Sequence, residues 1–107
     1  MKETFGEYIH KLRSDNGLTL TKLAAALDID QSTLSKIENS KRNVPEEILP
    51  KLSQFFKLDI KLLEKEYYSE KIANILYKEE DSKELIKLAE EKAKYFRTIK
   101  TKITIKL

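Results

Sequence analysis

Few residues of this chain have the means to make or break a covalent bond. His10 is the single histidine, cysteine is absent, and Gly6 and Gly17 are the only glycines. Thiol nucleophiles, cysteine-based zinc sites, disulfides and a glycine-rich phosphate loop are thereby excluded. No two acids share an apolar setting in which one could hold a proton for the other. The expectation is a protein that is not an enzyme and uses no cofactor or metal. The chemistry left is hydrogen bonding, and it is concentrated in Gln31-Ser32-Thr33-Leu34-Ser35-Lys36, within a helical stretch to about Asn39 whose one acid is Glu38. A helix meant only for solvent carries several Glu and Lys residues. One that enters a DNA major groove wants short, polar side chains near its N-terminus.

The surrounding pattern supplies the elements to hold such a helix. Phe5, Ile9 and Leu12 recur at helical spacing and run to the turn Asp15-Asn16-Gly17. Thr19 is a good N-cap for a helix over Leu20–Leu27, whose inward face holds Leu23, Ala24 and Leu27, and Ala24, Ala25 and Ala26 allow close approach. Asp28 and Ile29 make a short connection, and Asp30 caps a helix from Gln31 to about Asn39 with Leu34 and Ile37 inward. Pro45 and Pro50 place a fourth helix at Leu49–Phe56, because proline is tolerated in a first turn and not in a helix interior. Asp59 caps a fifth helix with Ile60, Leu62 and Leu63 on its apolar side.

Composition bounds the rest. A chain of 107 residues has room for one main core. No apolar run reaches the length of a membrane span, no signal-peptide pattern is present, and the lack of cysteine suits a reducing compartment, so a cytoplasmic, non-membrane protein is expected. Residues 1–66 carry eleven basic and eleven acidic side chains, and residues 67–97 carry seven of each. The net charge of +3 comes from Lys100, Lys102 and Lys106, so bulk charge argues for no partner.

Leu12-Arg13, Gly17-Leu18-Thr19, Leu23-Ala24, the run Asp30 to Asn39 and Lys41-Arg42 together resemble the phage-repressor and Cro type of helix-turn-helix domain, also called xenobiotic-response-element-like, over residues 5–59. The resemblance implies a mainly α fold, a bundle of five helices with Leu20–Leu27 as the scaffold helix and Gln31–Asn39 as the recognition helix. It implies base contacts from Gln31, Ser32 and Lys36. Phosphate contacts follow from Thr33 and from the loop residues Lys41, Arg42 and Asn43. Arg13 and Glu38 resemble a family pair in which the acid orients the arginine towards a phosphate. The family commonly places glutamine at the start of the scaffold helix, where it touches phosphate and braces the first recognition residue. Leu20 stands there instead. The phosphate contact is therefore expected to pass to Thr21 or Lys22, with a weaker brace on Gln31.

From Tyr67 the pattern changes. Tyr68, Ile72, Ile75 and Leu76 form one stripe, and Leu85, Leu88, Ala89, Lys92 and Phe96 a second, predicting helices over Glu66–Glu79 and Lys83–Phe96. The division expected is a DNA-binding domain over 1–66 and a helical extension over 67–107. That extension either enlarges the core of its own chain or forms a dimer surface. The second is preferred, because a palindromic operator needs two recognition helices about 34 Å apart. Thr98 to Leu107 alternate β-branched and lysine residues, predicting a terminal β-strand, with a disordered or truncated tail as the competing reading. In the strand reading Ile99, Ile103 and Ile105 join Ile72, Leu76, Leu85, Leu88 and Phe96 in a homodimer contact.

The function expected is sequence-specific binding of duplex DNA, as a homodimeric transcriptional regulator over a palindromic operator. The alternative is an antitoxin-like protein whose residues 67–107 hold a protein partner while the N-terminal domain represses its own operon.

Overall fold

The computed structural model describes residues 2–103, with the side chains of 2–100. Six helices lie among them: α1 Phe5–Asp15, α2 Leu20–Leu27, α3 Gln31–Glu38, α4 Ile48–Phe56, α5 Ile60–Leu76 and α6 Ser82–Ile103. A first compact unit ends at Lys71, and a second begins at Ile72.

Each of the first helices starts and stops for a local reason. Thr4 Oγ1 accepts from the Glu7 amide at 3.0 Å, and Glu7 Oε1 accepts from the Thr4 amide at 2.8 Å, a reciprocal box that satisfies two of the orphan donors at the N-terminus of α1. A third donor, the Phe5 amide, reaches Glu70 Oε1 of α5 at 2.8 Å. Gly17, at φ 64°, ends α1 in a left-handed turn in which the Leu18 amide returns to the Arg13 carbonyl at 3.1 Å. Thr19 and Asp30 cap α2 and α3 through bonds to the amides of Lys22 (3.1 Å) and Thr33 (2.6 Å). The stops after α2 and α4 fall on Asp28 and Lys57, and the turn beyond α3 on Ser40, all at φ 57° without glycine.

The core sits between these helices. Ile9, Leu23, Leu27, Leu34, Ile37, Ile48, Leu49 and Leu52 are fully buried, with Phe5, Ala24, Val44, Leu63 and Tyr67 around them. Burying a side chain of this size contributes about 1.5–3 kcal/mol, so the cluster supplies the main driving force for the first unit. Tyr67 completes it: its ring meets Phe5 edge-on at 5.8 Å and its hydroxyl donates to the Val44 carbonyl at 2.8 Å. α1 approaches α3 directly. A methyl group at Gly6 would lie 2.0 Å from the Ile37 carbonyl oxygen, so only glycine fits.

The second half departs from the expected map. α4 begins at Ile48, one residue early, and Pro50 lies in its first turn as expected. α5 runs unbroken from Ile60 to Leu76, in place of a short fifth helix followed by a separate one over Glu66–Glu79. No glycine or proline interrupts this stretch. The apolar stripe changes face while the backbone continues: Leu63 and Tyr67 are buried, whereas Ile72 and Ile75 are exposed. Leu62, placed on the apolar side from its spacing, is also exposed. The described residues thus hold six helices, one fewer than the five of the bundle plus two.

The terminal strand is a second correction. α6 continues through Phe96 to Ile103, so residues 98–103 are helical, and residues 104–107, with Ile105, lie outside the described residues. Phe96, Ile99 and Ile103 recur at three and four residues, which prolongs the helical period, and no breaker stops propagation. Thr98 fits by donating its hydroxyl to the Lys94 carbonyl at 3.1 Å. Alternating β-branched residues express a weak preference that an established helix overrides.

Candidate nucleic-acid interface

α2 and α3 pack against each other across the three-residue connection Asp28-Ile29-Asp30. The Ile29 amide returns to the Ala24 carbonyl at 3.0 Å, which fixes the turn between them. α3 buries Leu34, Ile37 and Glu38 and leaves Gln31, Ser32 and Lys36 exposed. An apolar back and a polar, solvated front on one eight-residue helix are what a groove-reading element needs.

Gln31 is the first residue of α3, and its side chain is held. Thr21 Oγ1 donates to Gln31 Oε1 at 2.8 Å. An amide oxygen has two lone pairs, so one remains to accept from adenine N6 while the amide nitrogen donates to N7. The brace expected to be weakened at Leu20 is therefore supplied one residue later, by a threonine hydroxyl. Leu20 itself packs against the core.

The remaining predicted contacts gather near the same helix. Thr33 Oγ1 lies 3.5 Å from Arg42 Nη1, so the guanidinium is drawn back over α3. The Lys41 amide bonds to the Lys36 carbonyl at 2.8 Å, which ties the loop to the end of α3. Lys41, Arg42, Asn43 and, on α2, Lys22 are exposed. Asp30 stands among these cations. Its carboxyl is held below the ordinary range by the Thr33 hydrogen bonds first, and then by the charges of Arg42 and Lys36.

Arg13 and Glu38 form the expected ion pair. Arg13 Nε and Nη2 donate to Glu38 Oε2 and Oε1 at 2.8 and 3.0 Å, a bidentate fork, while Nη1 donates to the Leu18 carbonyl at 2.9 Å. With its donors turned inward and its side chain 16% exposed, the guanidinium braces α1, the following turn and the end of α3. His10 Nδ1 adds a contact to Glu38 Oε1 at 2.7 Å. Periodicity places His10 on the exposed side of α1, and it is exposed; its i,i+3 relation to Arg13 was the available signal for this contact. Burial pushes the Glu38 carboxyl up, yet the bonds from Arg13 and His10 outweigh it and leave the carboxyl below its ordinary value. The Arg13 guanidinium is raised, chiefly by the same hydrogen bond.

Residues 9–63 match the family described as Helix-turn-helix, HTH_3. The chain belongs to that family. Within it, the helix-turn-helix unit is α2, the Asp28–Asp30 connection and α3. An HTH-type transcriptional repressor, RghR of Bacillus subtilis (strain 168), is 37% identical over 57 residues, which cover 52% of this chain and 42% of the repressor. The chain thus aligns with less than half the length of that curated relative. No solved structure matches it. The helix-turn-helix domain of this chain is thus related to that of a transcriptional repressor. No helix among the described residues is long and apolar enough to cross a membrane.

Proposed function

We propose that the protein is a cytoplasmic transcriptional repressor that binds a palindromic operator as a homodimer. α3 enters the major groove. Gln31, Ser32 and Lys36 read base edges, while Thr21, Lys22, Thr33, Lys41, Arg42 and Asn43 position the domain on phosphates. The observation that carries this reading is the held side chain of Gln31 at the exposed start of a helix whose other face is buried. A free glutamine would lose rotamer entropy on binding; this one is already oriented.

The dimer is drawn from the second unit, where Ile72, Leu76, Leu85, Leu88, Phe96 and Ile99 leave apolar surface only partly covered or exposed. Doubling the site supplies the affinity that one small unit lacks. The test is selection of duplexes from a random pool, followed by footprinting at two salt concentrations. A palindromic consensus with binding that falls steeply as salt rises supports the reading. Failure to protect any duplex at low salt overturns it.

A further inference from the structure

The segment from Glu79 to Lys100, which includes most of α6, carries its charge in two blocks. Residues 79–91 hold six acids, Glu79, Glu80, Asp81, Glu84, Glu90 and Glu91, against Lys83 and Lys87. Residues 92–100 hold Lys92, Lys94, Arg97 and Lys100 with no acid. The helix macrodipole favours acids early and bases late, but only within the first and last turns. α6 ends at Ile103, so Lys92 and Lys94 lie well before that last turn, and the dipole does not account for them. Along one face Leu85, Ala89, Phe96 and Ile99 recur at helical spacing, with Phe96 47% exposed and Leu88 beside them 48% exposed.

We propose that α6 pairs with α6 of a second copy of this chain, antiparallel, about a two-fold axis near Lys92. The inference rests on the homodimer reading above and adds its surface and direction. In that register Leu85 lies opposite the partner's Ile99, and Leu88 lies opposite the partner's Phe96, over about 21 Å of helix. Glu84 and Glu90 then lie opposite the partner's Lys100 and the partner's Lys94, while Lys87 falls opposite the partner's Arg97. A parallel pair would set acid on acid and base on base, which costs affinity. Lys92 flanks the axis, and its flexible stem lets the ammonium leave the seam for water.

The chain has no cysteine, so single replacements report on proximity without background. Leu85→Cys and Ile99→Cys chains are purified separately, oxidised alone and mixed, with sedimentation and helical content recorded for each. A disulfide-linked dimer forming chiefly in the mixture is the expected result. Leu85→Cys linking efficiently to itself overturns the antiparallel direction. A dimer by sedimentation that links in no combination overturns α6 as the surface and leaves the homodimer reading standing. A wild-type monomer at about 100 μM overturns both. Independently, Glu90→Lys with Glu91→Lys weakens wild-type self-association about tenfold at low salt, and the loss shrinks in high salt. Unchanged association of that variant also counts against the pairing.

Discussion

The Thr21 hydroxyl holds the Gln31 carboxamide at 2.8 Å, across the junction of scaffold and recognition helices. The bond leaves the reading atoms of Gln31 available, so it acts on selectivity and not on charge. Thr21→Val keeps the shape and removes the donor. Its expected effect is a loss about 1 kcal/mol larger on the selected duplex than on random duplex, with Thr21→Ser retaining selectivity. Paired titrations of the two duplexes decide it; equal losses would make Thr21 a phosphate ligand only.

In the proposed function Gln31 and Arg42 separate reading from positioning. Gln31→Ala costs about 1–3 kcal/mol on the selected site and little elsewhere. Arg42→Ala weakens all duplexes alike and flattens the salt dependence by about one counterion. Fluorescence titration across a salt series measures both, and a site-selective loss for Arg42→Ala contradicts its positioning role.

Glu38 ties stability to pH. Its folded carboxyl lies below the ordinary value of 4.5, so the unfolded chain takes up the proton first. The resulting stabilisation is fully present above about pH 4.5 and is lost as pH falls through the folded value. Thermal melts from pH 7 to 3 should show that decline, and Glu38→Gln should reduce its steepness. At neutral pH Glu38→Ala leaves the Arg13 guanidinium without its partner and costs about 3–5 kcal/mol. A variant that melts like wild type at both ends of the range removes Glu38 from the account.

Gly6→Ala drives a methyl group into the Ile37 carbonyl. Overpacking of this kind costs about 1–3 kcal/mol, read as a lower denaturation midpoint. The control is Gly17→Ala, where nothing lies near the added methyl and the strain comes from φ 64° alone.

The first four helices were legible because each has a local punctuation mark: Thr19 and Asp30 as caps, Gly17 as a stop, Pro50 in a first turn. The exposed face of α3 was legible from the polarity of Gln31, Ser32 and Lys36 against Leu34 and Ile37, which are buried. What was not legible depended on the tertiary structure. Tyr67 looked like the start of a new segment because its neighbours change face, and its burial against Phe5 and its bond to Val44 show it to be core. The Ile99–Ile103 stretch satisfies a strand period and a helix period at once, and the helix arriving from Ser82 decides between them. Thr21 carried no signal of its own, since its partner lies ten residues away on another helix.

The glycine contact between α1 and α3 bears on how this domain changes target over generations. Where two backbones touch, no side chain stands between them to be exchanged, so the seat of α3 tolerates no drift. The opposite rim has no such backbone contact: Ser32 and Lys36 are exposed, and Gln31 is held by a side-chain bond from Thr21. In the proposed function, retargeting to a new operator is therefore open to substitution at three exposed positions, with the mounting inherited unchanged.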